Sequence, residues 1–274
     1  MDSVWNLTES LALDVHWRAW RLGFEPPLGE VNISTLRGIW GAALHDLAPG
    51  IYDIVFEGRW AEDKKNPLYI IRPSLDGRDL ECIFIGRATE YEEVLFAAWN
   101  LAGTRGYGKT RIPFSLGAQE LIAEGPDFLK GNSWRENNPV VLFFAQPVRL
   151  MRGGQLIAAP SVRDVALAAM RRVWNFQTKS PSLAQRDASR LILDLCDSTP
   201  TLYDASRPMR YVRYSARQKA EVEYRCVSSA LAFPEGAGPL LPLFDACQWL
   251  HMGKNTILGL GQALLDDFDE NEIS

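Results

Sequence analysis

Leu250-His251-Met252-Gly253-Lys254-Asn255-Thr256-Ile257-Leu258-Gly259-Leu260-Gly261-Gln262 places three glycines within nine residues and a lysine beside the first. An apolar helical pattern runs into this stretch and an apolar, strand-like run leaves it. Glycine at that density marks backbone that needs positive φ or close approach to a partner. Amide hydrogens exposed in such a turn, with a lysine nearby, suit a phosphate oxygen. The same succession of helix, glycine turn and strand occurs earlier, at Gly103-Thr104-Arg105-Gly106-Tyr107-Gly108-Lys109. Two such loops divide the chain into two similar halves.

Working outward from the loops, the first half reads as a strand over 11–19, with Leu11, Leu13, Val15 and Trp17 alternating with more polar residues. Ser34 is the expected N-cap of a helix over 35–47, whose stripe is Leu36, Ile39, Trp40, Ala43, Leu44 and Leu47. Strand-like runs follow at 51–56 and 80–88, separated by a polar excursion. A helix over 90–101 and a strand from Arg111 to Ile122 complete the half. Residues 124–138 read as a linker rich in Gly, Pro and Asn.

The second half repeats the order. A strand covers Val140–Phe144 and extends toward Val148–Met151. Ser161 caps a helix with Val162, Val165, Ala166, Ala169, Met170 and Val173 on one face. Residues 176–200 form a partly helical insertion. Strands at 209–215 and 220–233 lead to a helix opened by Pro239, then the second glycine loop and a last strand over 256–265. The order in each half is β-α-β-β-α-β, the ferredoxin-like unit. The expected fold is therefore α+β, with two tandem ferredoxin-like domains at 1–123 and 139–265.

At 274 residues, with 47% hydrophobic and 23% charged content, the composition is that of a globular chain. No run of about 18 apolar residues is present, so no membrane partner is expected. The N-terminal stretch has no basic n-region and does not read as a secretory signal. Cys82, Cys196, Cys226 and Cys247 lie far apart without metal-ligand spacing. They read as reduced thiols of a cytoplasmic protein, and no metal or other cofactor is expected.

The net charge of −5 hides segregation. Asp266, Asp267, Asp269, Glu270 and Glu272 crowd the last nine residues, whereas 207–219 carries Arg207, Arg210, Arg213, Arg217 and Lys219 with no acid. A local basic stripe is the electrostatic footprint of a nucleic-acid binder.

Gly103 to Thr110 also satisfies the pattern G-x-x-x-x-G-K-T. A nucleotide-binding P-loop needs a strand before it and a helix after it, so that the helix N-terminus holds the phosphates. Here the context is reversed, and ATP binding is not expected; Arg105 and Lys109 remain candidates for an RNA phosphate.

Four segments together resemble one family. Leu36-Arg37-Gly38-Ile39-Trp40-Gly41-Ala42-Ala43-Leu44 is similar to the first helix of CRISPR repeat-processing endoribonucleases of the RAMP superfamily. Val140 to Leu150 resembles the opening strand of their second domain, and Arg213-Tyr214-Ser215-Ala216-Arg217-Gln218 their basic segment. His251-Met252-Gly253-Lys254 through Gly259-Leu260-Gly261 resembles their C-terminal glycine-rich loop. The resemblance spans both halves in order. It implies a CRISPR precursor RNA as substrate, cut within its repeats without metal. The ribose 2′-OH would attack the adjacent phosphate, leaving a 5′-hydroxyl and a 2′,3′-cyclic phosphate. It also implies a mature crRNA retained as guide and other CRISPR effector subunits as partners. A RAMP-type subunit that holds guide RNA without cutting is the alternative; a ferredoxin-like protein unconnected with RNA is a third. The pI of 5.4 departs from the more basic relatives.

The chemistry calls for a base at the 2′-OH, an acid at the leaving 5′-oxygen, and cations for the phosphorane charge. Histidine suits the first role because it titrates near neutrality. His45 is the leading candidate; the plain alternative is a surface histidine at a helix C-terminus. His16 falls on the polar face of the expected first strand. His251 lies on an apolar stripe and reads as a packing residue. Arg37 and Arg21, with Arg18 nearby, are candidate cations, each equally readable as a solvated arginine. Arg18, Arg105, Lys109, Arg210, Arg213, Arg217 and Lys254 are candidate RNA contacts, together with Gly253, Gly259 and Gly261 of the loop. Arg171 and Arg172 are weaker candidates. Arg210 and Arg213, three apart, would fall on opposite faces of a straight strand.

Overall fold

The computed structural model describes residues 2–28, 32–61, 66–77, 79–108, 110–125, 137–177, 183–201, 206–215 and 220–268. Lys109, Arg217, Lys219, most of the expected linker and the end of the acidic tail lie outside them. The chain is a mixed helix-and-strand protein with antiparallel sheets.

Residues Asp2–Leu13 form a helix, α1, rather than the start of a strand. Thr8, Leu11 and Ala12 are buried along one helical face. The alternation over 11–17 arose where the end of that face meets the start of strand β1 (Trp17–Glu25). Helix α2 (Ile33–Leu47) follows, capped by Asn32, whose side chain accepts from the amide of Thr35. Asn32 takes the role expected of Ser34, which frees the Ser34 hydroxyl for another contact. Pro49 then opens a short helix, α3 (Pro49–Val55), where the β-branched run 51–56 predicts a strand. Proline at N1 presets the helical φ, and Tyr52 and Phe56, four residues apart, stack at 5.2 Å.

Strand β2 (Tyr69–Pro73) lies inside the excursion read as irregular; β3 (Leu80–Ile85), helix α4 (Glu92–Arg105) and β4 (Ser115–Gly125) complete the first half. The sheet order is β2-β3-β1-β4. Trp40 of α2 is fully buried between this sheet and α4. It stacks on Trp99 at 5.0 Å, meets Tyr69 edge-on, and donates its indole N–H to the carbonyl of Leu95.

The second half opens with β5 (Val140–Phe144) and a small hairpin, β6 (Met151–Arg152) with β7 (Gln155–Leu156). Helix α5 (Val162–Phe176) begins at a complete capping box between Ser161 and Asp164. Helix α6 (Leu183–Cys196) occupies the expected insertion. Strands β8 (Arg207–Ser215) and β9 (Ala220–Ser228) form a ribbon in unbroken register. Strand β10 (Ala230–Phe233) continues from β9 and pairs with β5, which also pairs with β11 (Ala263–Asp267). Helix α7 (Leu241–Leu250) precedes the glycine loop; residues 256–258, expected as strand, are a 3-10 turn.

Helix α1 packs on α7, α6 and α5, so the chain's first helix belongs to the second half. Trp17 at the start of β1 stacks on Trp249 of α7 at 4.9 Å. All four cysteines are buried and free. No described helix is long and apolar enough to cross a membrane.

Replacing Trp40 by Ala removes the stacked centre of the first half. The expected cost is about 3–5 kcal/mol, read as a lowered urea midpoint; a loss below about 1 kcal/mol would refute this role for Trp40.

Candidate functional site

Glycine-loop geometry comes first, because it joins the halves. A Cβ on Gly261, at φ +72°, would stand 1.9 Å from the Met252 carbonyl oxygen. Only glycine fits that crossing of two backbones. A Cβ on Gly253 would stand 2.7 Å from the Arg149 carbonyl oxygen, and Gly259 rests against Ile71 and Arg72 of β2. The loop amides of Lys254, Leu258, Gly259 and Gly261 donate to the carbonyls of Arg149, Asn255, Thr256 and Pro147. These four donors are consumed internally, so the glycines serve close packing where the sequence suggests a phosphate cradle.

His251, at the head of the loop, is fully buried at φ +59°. Arg72 donates from Nη1 to its Nε2 at 3.0 Å, and its Nδ1 lies 3.0 Å from the Leu260 carbonyl. An arginine can only donate, so Nε2 accepts and Nδ1–H donates. Arg72 also bonds Glu81 at 2.8 Å and the Gln248 carbonyl at 2.9 Å. Arg21 joins this network through Glu81, at 3.5 Å, and pairs with Glu120 at 3.2 Å.

Two arginine groups flank this buried joint. Arg213 of β8 donates to the Tyr224 hydroxyl at 3.0 and 3.2 Å and to the Ser34 hydroxyl at 3.4 Å. It thereby ties the ribbon to the first turn of α2. Arg149 lies 5.4 Å from the same Tyr224 ring and bonds Asn255 of the loop at 3.2 Å. Lys254 is exposed beside it. Arg210 is exposed on the opposite face of the ribbon, 3.7 Å from Glu223. The unbroken register keeps it apart from Arg213, as the odd spacing requires.

Arg37 lies one turn beyond Ser34 on α2. Its Nε donates to the buried Tyr69 hydroxyl at 2.5 Å, and its guanidinium covers Phe56 at 5.6 Å. His45 stands eight residues on, about 12 Å further along the helix. Its ring is exposed, edge-on to Tyr52 at 5.1 Å, with Nδ1 3.6 Å from Asp46. Arg105 at the end of α4 bonds Asp46 at 2.7 Å. That bond, first, holds the Asp46 carboxyl below its ordinary range. Burial, first, and then Glu57 raise Tyr52 above the ordinary tyrosine range.

The structure thus brings His45, Arg105 and Tyr52 together, and Arg37, Arg213 and Lys254 along one strip. It keeps others apart. Arg21 pairs across the sheet with Glu81, one residue out of phase with Cys82 and Phe84, whose face meets the helices. It is therefore on the sheet face opposite α2. Arg18 is held by Glu92 and Glu124. His16 is exposed in the turn between α1 and β1, its carbonyl accepting from Gly86 at 2.7 Å, not on a strand face. Lys109 and Arg217 lie outside the described residues. Tyr52, Arg149, Tyr224, Arg72 and Glu81 escaped the sequence reading. Only Arg149 carried a signal, as a cation within a strand-like run beside the loop.

No protein-family model matches the chain, and no curated protein matches it. Solved structures do. A Cas6 product complex has a TM-score of 0.59 at 13% identity. Thermus thermophilus Cas6 scores 0.57 at 13%, and a second Cas6 product complex 0.57 at 16%. Each covers 92% of this chain and 99% of its own. At these identities the likeness establishes the fold: this chain has the fold of the Cas6 structures.

His251 is neutral in the folded chain, because burial first, and the Arg72 charge second, hold its pKa well below 6.5. An unfolded histidine titrates near that value. Below it the unfolded chain binds a proton that the folded chain refuses, so stability falls on acidification by up to about 1.4 kcal/mol per pH unit. Buried Asp245, pushed up to about 6, acts in the opposite direction below that pH. The difference between parent and His251→Gln isolates the histidine. Urea unfolding from pH 7 to pH 5 should show a smaller loss in the variant; identical profiles would refute the neutral buried ring.

Proposed function

We propose that the chain is a metal-independent endoribonuclease that cuts CRISPR precursor RNA within its repeats and retains the mature guide. The observation that carries this reading is the tie between Arg213 and Ser34. It joins the basic ribbon, itself next to the glycine loop through Arg149, to α2, whose last turn carries His45. The shared fold with two Cas6 product complexes supports an RNA substrate. In this reading the halves are tandem ferredoxin-like domains, bounded in sequence at 1–123 and 139–265 with α1 packed on the second, and the sheet order β2-β3-β1-β4 supports that assignment for the first.

RNA phosphates lie along Arg213, Arg149, Lys254 and Arg37. A-form or single-stranded RNA is held largely through such backbone contacts. Tyr224 offers a ring already flanked by arginines. At the scissile bond His45 takes the 2′-OH proton, and the 2′-oxygen attacks the neighbouring phosphorus. The P–O5′ bond breaks and the 5′-oxygen takes a proton from water, giving 5′-hydroxyl and 2′,3′-cyclic phosphate ends; the His45 proton is then released to solvent. The nucleophile is part of the substrate, so no metal-bound hydroxide is needed. Arg105, already beside Asp46 and His45, neutralises the phosphorane, and a positioned acid or base contributes about 10²- to 10⁴-fold. The mature guide and other effector subunits are the partners of this reading.

The exposure of His45 favours a second reading, a RAMP-type subunit that holds guide RNA without cutting. One assay separates the two. Repeat RNA incubated with EDTA should be cut at one site, leaving a cyclic phosphate. His45→Ala should lower the single-turnover rate at least about 100-fold with RNA affinity little changed. Arg213→Ala should weaken binding about tenfold and reduce the salt slope by about one. Binding without cleavage by the parent would establish the second reading. Equal loss of binding and cleavage in His45→Ala would remove His45 from the chemistry.

A further inference from the structure

A pocket of about 300 Å³ opens beside the glycine loop, between α5 and the β6–β7 hairpin. It shares Arg149 and Lys254 with the basic strip. Five cations line it: Arg149, Arg152, Arg171, Arg172 and Lys254, against one carboxylate, Asp164. That carboxylate is already engaged, pairing with Arg152 and closing the Ser161 capping box. Among the described residues no carboxylate pairs with Arg171, Arg172 or Lys254.

Arg172 is the unusual member. It is 8% exposed and holds the Leu250 carbonyl through Nε at 2.7 Å, with its guanidinium 4.4 Å over the Phe176 ring. Its Nη2 is buried without a hydrogen-bond partner. Burial lowers its pKa to about 10, still far above neutrality. A buried, charged donor left unsatisfied asks for an acceptor. Beside the cations, Leu150, Ile157, Leu167 and Ala168 give the pocket an apolar lining, with Leu167 and Ala168 one turn of α5 before Arg171 and Arg172. Its volume is at the lower end of small-molecule sites.

A phosphate group and a flat apolar body are the chemistry that this lining complements. We propose that the pocket is a nucleotide subsite, with the phosphate held by Arg171, Lys254 and Arg172 and the base or ribose set against the Leu167 wall. The nucleotide is either one residue of a bound RNA strand or a free mononucleotide. The first source rests on the RNA-binding reading above; the site itself does not.

The test uses the full chain and adenosine 5′-monophosphate, followed by titration calorimetry at low salt. The parent should bind, and Arg171→Ala, at an exposed position, and Lys254→Ala should each weaken binding about five- to tenfold. No binding by the parent, or binding equal in all three proteins, would overturn the subsite. Displacement of the mononucleotide by single-stranded RNA would assign the pocket to the strand, and binding undisturbed by saturating RNA would assign it to the free nucleotide; either sustains the proposal. Mononucleotide binding by a chain that binds no RNA would defeat the ribonuclease reading and leave the pocket standing.

Discussion

One guanidinium holds the two halves in register. Arg72 leaves the first sheet, pairs with Glu81 beside it, and reaches His251 and the Gln248 carbonyl in the second half. Removing one partner of such a buried pair strands a charge, at a cost of about 3–5 kcal/mol. The contact also keeps His251 in a backbone conformation that few non-glycine residues adopt. With His251 fixed, Gly253, Gly259 and Gly261 can pack against Arg149, β2 and Met252. The loop is a mechanical part of the joint before it is anything else.

From that joint the surface chemistry follows. The loop fixes Arg149, Arg149 approaches Tyr224, and Tyr224 takes Arg213, which reaches Ser34. Cations that are distant in sequence are thereby drawn into one line, although the chain as a whole is acidic. Salt bridges remove other arginines from that line: Arg18 and Arg21 both spend their charge on carboxylates of the first half. Segregation of paired from unpaired arginines, rather than net charge, sets where a polyanion would settle.

Much of this was legible in the sequence, for identifiable reasons. The α2 stripe and the Ser161 cap are local patterns; Ser161 caps α5 as read, and Leu36, Trp40, Ala43 and Leu44 of the stripe are buried, whereas Leu47 in the last turn is exposed. The C-terminal glycine loop located the joint, because steric demand on a backbone crossing leaves a compositional mark. Three elements were not legible. The apolar residues of α1 and β1 abut, so their two periods merge into a false alternation. The run 51–56 has strand-forming side chains but is claimed by Pro49 and by packing of Phe56 under Gly41. Strand β2 hid because its Arg72 looks polar until its partners Glu81 and His251, far away in sequence, are known. The same non-locality explains the site: His45 and Arg37 belong to a recognisable helix, whereas Tyr224 and Arg149 acquire their role only through contacts between halves.

Helix α1 docks on α7, α6 and α5, and Trp17 stacks on Trp249. Helix α1 is therefore made well before α7, the helix that covers it. Until α7 has left the ribosome, the apolar face of α1 has no native cover, and the first half can form its sheet but not its clasp. Chains of this kind gain their final stability late and abruptly, and in the meantime they expose surface that chaperones recognise. A helix contributed to the opposite half also makes the two halves hard to separate: an excised second half would lack a wall of its own core.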